Sequence, residues 1–105
     1  DGVEAVNSYN LAKENGITAV VGSVLTGTTI ALADATYEDN MPQITASATA
    51  TGVTIMEDTG EVRTNVFRAC FIDPFQGEKM ASYAVEKLGA KTAAVFRPAA
   101  TTPKA

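Results

Sequence analysis

Apolar and polar positions along the chain change period several times, and the changes mark the elements. Residues 3–15 place Ala5, Ser8, Tyr9 and Ala12 on one face with polar residues elsewhere, which predicts a helix. Asn15 and Gly16 suit its end, since glycine takes the left-handed position past a last turn without strain. Residues 17–22 form a β-branched run with apolar residues in succession, the pattern of a strand covered on both faces. A turn rich in glycine and hydroxyls covers 23–28, and a second helix is expected over 29–39. Residues 42–45 read as a short strand, 46–60 as a long irregular stretch, and 65–68 as another strand. Asp73, Pro74 and Gln76 look like a helix start, with Asp as N-cap, Pro in the first turn and Gln closing a capping box. That helix is expected to run to Leu88, with Ala81, Ala84, Val85 and Leu88 on one face and Gly89 ending it. A last strand follows at 92–96. Residues 98–105 carry no pattern and are expected to form a frayed, disordered tail.

Strands alternating with helices through short connections predict an α/β fold, a parallel sheet with flanking helices. In such sheets ligands sit beyond the carboxyl ends of the strands. The loops at 23–28, 46–60 and, more weakly, 69–73 occupy those places.

Composition narrows the chemistry. The chain has 105 residues, 12 acidic and 8 basic, for a net charge of −4, which argues against nucleic acid and anionic membrane as partners. It is long enough for one small domain and one core. No His and a single Cys exclude an internal disulfide, the usual zinc sets and any Ser-His-Asp or Cys-His catalytic arrangement within the chain. No metal or cofactor is expected. A calcium loop at Glu57, Asp58 and Glu61 is discounted, because it needs closer oxygen spacing and a bidentate acid at its end. No run approaches the roughly 18 apolar residues of a membrane span. An opening of Asp1-Gly2-Val3, without Met or a signal sequence, suggests a piece of a longer protein.

Two loops carry candidate chemistry. Leu25-Thr26-Gly27-Thr28-Thr29 leaves a strand and opens a helix, where free N–H groups and hydroxyls attract a carboxylate or phosphate. The plainer reading makes Thr28 an N-cap. Ser47-Ala48-Thr49-Ala50-Thr51 follows the next strand and offers carbonyls to an ammonium and N–H or OH groups to a carboxylate. Its plainer reading is a hydroxyl-rich loop satisfying its own backbone. Side by side at successive strand ends, and without charged side chains, the two loops suit binding of a small polar ligand better than turnover. Cys70 reads as a buried inert thiol, and Tyr9, Tyr37 and Tyr83 as helix residues at the edge of the core.

Three ordered motifs carry a resemblance. They are Ile17-Thr18-Ala19-Val20-Val21-Gly22 with Thr26-Gly27, then Pro42-Gln43-Ile44-Thr45-Ala46-Ser47-Ala48-Thr49-Ala50, then the run from Asn65-Val66-Phe67-Arg68 through Asp73-Pro74-Phe75-Gln76-Gly77. Together they resemble the extracytoplasmic substrate-binding proteins of branched-chain amino-acid ABC transporters, the Leu/Ile/Val-type members of the type I periplasmic binding proteins. The resemblance runs from about Gly2 to Phe96. It implies that residues 1–97 are a partial N-terminal lobe of a two-lobed protein that closes on a free amino acid and delivers it to a membrane permease. Carried over by position, Thr26 binds the ligand carboxylate, the Ser47 carbonyl receives the ammonium, and the Thr49 hydroxyl and N–H complete the clamp. Gly27, Thr28 and Ala48 are weaker candidates. Ala46 stands where the family usually has Pro, and the family's opening strand-helix-strand unit and second lobe, with its acidic ligand residue, have no counterpart here. The resemblance implies localisation outside the cytoplasm. The missing first strand leaves 17–22 with an open edge, so the chain is expected to associate as a homodimer or larger.

Other readings remain open at this point. Thr26-Gly27-Thr28-Thr29 partly fits the phosphate loop of a flavodoxin-like FMN-binding module. A ligand-sensing domain of a regulator with the same fold fits equally well. An enzyme is disfavoured, because no Lys, Asp or Glu pair falls on the strand-end loops.

Overall fold

The computed structural model describes residues 1–99. Helix α1 (Gly2–Glu14) begins with a reciprocal capping box between Asp1 and Glu4 and stops at Asn15, with Gly16 left-handed at φ 77° as expected. Its partner is α2 (Thr26–Glu38). A Cβ on Gly2 would lie 2.9 Å from the Ala31 Cβ, so glycine there lets the two backbones approach. At the other end of the pair the Tyr9 hydroxyl donates to Asp39 Oδ2 at 2.8 Å, and Lys13 Nζ reaches the same oxygen at 2.7 Å. Burial first, then the Asp39 carboxylate, pushes the Tyr9 phenol up to about 12. The hydrogen bonds from Lys13 and then Tyr9 hold the Asp39 carboxyl below its ordinary value.

The sheet is parallel, in the order β1 (Val20–Val21), β2 (Gln43–Thr45), β3 (Val66–Arg68). The expected α/β class stands: this is a partial α/β lobe. The register aligns Val21 with Ile44 and Ile44 with Phe67, so these three share one face. Gln43 and Thr45 point to the opposite face, toward α2, and are fully buried there. The face under α2 is unusually polar. Ala33, Ala48, Val53 and Val66, with Ile30 beside them, form a small apolar cluster, while Thr29, Thr36, Gln43, Thr45, Arg63 and Asn65 are buried around it. Arg63 Nη1 lies 2.6 Å from Asp34 and ties the approach to β3 onto α2. The apolar face, by contrast, is bare: Val21 is 85 % exposed and Phe67 57 %.

Several expectations are corrected. The strand over 17–22 shrinks to Val20–Val21, with β2 as its one ladder partner among the described residues, and it is not covered on both faces, because nothing packs over Val21, which is 85 % exposed. The stretch 46–60 contains a 3₁₀ turn at Thr51–Val53, and an antiparallel bridge joins Ile55 to Val62. The last strand, at 92–96, does not form: no neighbouring strand among the described residues accepts its hydrogen bonds, and Phe96 is 96 % exposed. Helix α3 (Asp73–Glu86) ends before Leu88, with Gly89 left-handed behind it at φ 64°. Its Ala81–Val85 face buries nothing, and Tyr83 is exposed rather than at a core edge, whereas Tyr9 lies within the core. With α3 projecting, the radius of gyration is 17.1 Å, against about 13 Å for a compact chain of this length. Of the expected tail, 98 and 99 are exposed coil, and 100–105 lie outside the described residues. Among the described residues no helix is long and apolar enough to cross a membrane.

Candidate functional site

Parallel pairing brings the carboxyl ends of the three strands together, and side chains stitch the loops that leave them. The Thr45 hydroxyl donates to the Ser23 carbonyl at 2.7 Å, and the Ser47 hydroxyl donates to the Val24 carbonyl at 2.8 Å. The two candidate loops are therefore joined directly. Beneath them Gln43 Nε2 donates to the Gly22 carbonyl at 3.1 Å, while its Oε1 accepts from the Thr36 hydroxyl at 2.7 Å. The Ser23 N–H donates to the Thr29 hydroxyl at 3.2 Å, fixing the entry to α2.

That entry differs from the plainer sequence reading. Thr28 is not the N-cap; the cap position falls on Leu25, which has no side chain able to accept from the first turn. Thr29 supplies the first N–H bonded inside the helix, to the Leu25 carbonyl at 3.0 Å. The N–H groups of Thr26, Gly27 and Thr28 have no intrahelical partner, and no acid stands in the first turn. Such an end favours an anion. Thr26 and Thr28 are half-buried there and Gly27 is exposed.

The second loop is more heavily committed. The Ala48 side chain is fully buried in the core cluster, and its N–H turns back to the Thr45 hydroxyl at 3.2 Å. Arg68, from the end of β3, takes the Ala48 and Ala50 carbonyls with Nη1, each at 2.8 Å, and the Thr54 hydroxyl with Nη2 at 3.0 Å. The Cys70 thiol, half-buried rather than buried, lies 3.6 Å from the Ala48 carbonyl. Thr49 gives its carbonyl to the Asp73 N–H at 3.0 Å, while its own hydroxyl and N–H have no partner among the described residues. The Asp73 capping box is absent: Ile72 occupies the cap position of α3, and Asp73 and Pro74 lie inside the first turn.

Sequence reasoning placed Thr26, Ser47 and Thr49 on two loops; the fold joins those segments through Ser47 and Val24, but α2 begins at Thr26 rather than at the expected 29, so Thr26 is the first helical residue. It missed Arg68, whose signal was a lone cation closing an apolar strand, and the buried pair Thr36 and Gln43. Thr29, Ala33 and Thr36 do follow helical spacing, but as a mixed stripe on the inner face, two hydroxyls flanking an apolar residue. The larger recesses are lined by other residues, notably one of about 420 Å³ between α1 and β1 that includes Tyr9, Ile17 and Leu32. The candidate site is thus an open rim. Among the described residues no group of three or more His, Cys, Asp or Glu is placed to hold a metal ion.

No protein-family model matches the chain. Over 93 residues it is 33 % identical to a Leu/Ile/Val-binding protein homolog from Brucella melitensis biotype 1, covering 89 % of this chain and 24 % of that protein. In fold it matches the crystal structure of a leucine binding protein, LivK, from Thermotoga maritima MSB8, with a TM-score of 0.71 and 36 % identity, over 87 % of this chain and 25 % of the other. The resemblance is to branched-chain amino-acid binding proteins. The chain spans about a quarter of the length of either relative. The likeness to the leucine binding protein thus agrees with the ordered motifs in the sequence, and it rests on the three-stranded parallel sheet with its helices.

Proposed function

We propose that the chain carries one side of a binding site for a free branched-chain amino acid, and that it acts by binding rather than by catalysis. The uncapped start of α2 supports this reading most strongly: N–H groups without an intrahelical partner, the Thr26 hydroxyl and the lack of an acid in the first turn offer a seat for an α-carboxylate. Across the Ser47–Val24 hydrogen bond, the Ser47 carbonyl is the acceptor for the ammonium, and the Thr49 hydroxyl and N–H complete the clamp. Gly27 and Thr28 contribute backbone N–H groups. Ala48 contributes packing, since its methyl group and both its backbone groups are engaged. The names of the relatives point the same way. In the longer protein this reading implies, a second lobe closes over the ligand outside the cytoplasm and the complex delivers it to the permease of an ABC transporter.

An open rim holds a ligand weakly. Titration of the isotope-labelled chain with L-leucine is expected to give saturable amide shifts at Thr26, Gly27, Thr28 and Thr49, with a dissociation constant on the order of 1 mM or weaker, about −4 kcal/mol. Thr26→Val is expected to weaken binding severalfold. Saturable shifts with FMN or inorganic phosphate but not with leucine would replace this reading with a phosphate-binding one.

The bare sheet face adds a partner to the proposal, a second copy of this chain. The described chain exposes 7801 Å², about 2,000 Å² more than a compact protein of its mass. A standard dimer interface takes about 800 Å² from each partner, so part of that excess is enough. Val21, Ile44 and Phe67 on one face, and the open edge of β1, supply the apolar area and the unpaired backbone groups.

A further inference from the structure

We infer that Arg68 is the positioning residue of the ligand loop, fixing Thr49 from behind without touching the ligand; this rests on the proposed amino-acid site. Arg68 Nη1 binds the carbonyls on either side of Thr49, those of Ala48 and Ala50, each at 2.8 Å, and Nη2 anchors the fork on Thr54 at 3.0 Å. The Thr49 carbonyl is held independently by the Asp73 N–H at 3.0 Å. Three successive carbonyls are therefore pinned from the end of β3 and the start of α3. What remains uncommitted at Thr49 is its N–H and hydroxyl, the two groups that a clamp uses. The backbone ladder reinforces the anchor, because the Ala69 N–H donates to the Thr45 carbonyl at 2.9 Å and locks Arg68 in register with the strand that feeds the loop. A guanidinium presents several N–H donors in a rigid plane and can span neighbouring carbonyls, whereas an ammonium is a single point charge. The requirement is thus for arginine and not merely for a cation.

The test uses the full chain as wild type, Arg68→Lys and Arg68→Met, followed by amide spectra during titration with L-leucine and, separately, with acetate. Acetate carries the carboxylate alone and reads the α2 start, which Arg68 does not contact. In Arg68→Met the acetate response at Thr26–Thr28 is expected to stay within twofold of wild type. The leucine response at Thr49 is expected to weaken at least tenfold, with Arg68→Lys intermediate. A general loss of structure would abolish both responses together, and Arg68→Lys then carries the comparison. Leucine binding at Thr49 unchanged within twofold in Arg68→Met overturns the inference. If wild type shows no leucine response, the amino-acid reading fails, and the ligand-free spectra decide: unchanged shifts and solvent exchange at 48–51 in Arg68→Met overturn the positioning role, and altered ones support it.

Discussion

Replacing Gln43 by Leu probes the polar layer under α2. Gln43 is 1 % exposed and bridges two elements: its Nε2 serves the Gly22 carbonyl at 3.1 Å and its Oε1 accepts from Thr36 at 2.7 Å. Leucine of similar size removes these two bonds, a net loss of about 1 kcal/mol each, together with a longer one from Nε2 to the Thr29 carbonyl at 3.4 Å. Leaving the Gly22 carbonyl without its side-chain partner adds roughly 1–3 kcal/mol of desolvation. Thr36 suffers less, because its hydroxyl can turn fully to the Ala33 carbonyl, 3.3 Å away. Burying leucine instead of an amide returns about 1–2 kcal/mol. The expected outcome for Gln43→Leu is a loss of about 1–4 kcal/mol in urea unfolding followed by far-ultraviolet circular dichroism. Thr36→Val alone is expected to cost about 1–2 kcal/mol, since it also strips an acceptor from Asn65 Nδ2. The double variant should cost less than the sum by about 1 kcal/mol, because both ends of one hydrogen bond are then apolar. Additive losses, or a Gln43→Leu chain as stable as wild type, would refute the view that this polar layer holds the sheet to α2.

Two further predictions follow from the helix pair and the bare face. Asp39 titrates lower in the folded chain than in the unfolded one, so its contribution is present above the ordinary carboxylate range and is lost as pH falls through the folded value. Tyr9 titrates higher, so its contribution is complete below 10.0 and is lost as pH rises toward about 12. Stability measured against pH should fall on both limbs, and Asp39→Asn should flatten the acid limb; an unchanged acid limb contradicts the assignment. Light scattering during size-exclusion chromatography should show a dimer or larger species at micromolar concentration, and Ile44→Lys with Phe67→Lys should yield a monomer. A clean monomer for the unsubstituted chain refutes self-association.

Local signals in the sequence were reliable where the chain satisfies itself. The end of α1 at Asn15 and Gly16 follows from short-range backbone preferences and formed as read; β2 and β3 formed as well, each against a neighbouring strand, while α3 stopped at Glu86, short of the expected Leu88. The α/β class followed from their alternation, and the loops bearing Thr26, Ser47 and Thr49 followed from where the strands end. What failed depended on partners. Residues 17–19 and 92–96 have strand composition, but a strand exists only where a neighbour accepts its hydrogen bonds, and those residues have none among the described residues. The Asp73 cap looked complete locally, yet the Thr49 carbonyl takes the Asp73 N–H and the helix starts around Ile72 instead. Leu25 at the start of α2 shows the converse, since no local rule chooses it as a cap and its inability to cap is what leaves the anion seat open.

The sequence by itself therefore determined the three helices in outline, the α/β class and the places of the loops that carry the site, because each depends on residues close together in the chain. The tertiary structure alone decided which groups in those loops are spent and which remain free. Arg68 lies 18 residues beyond Ala50 and takes its carbonyl, Ser47 reaches back 23 residues to Val24, and Thr36 meets Asn65 across 29. Hydrogen-bond saturation depends on distance in space, and only the fold brings such residues within about 3 Å of one another.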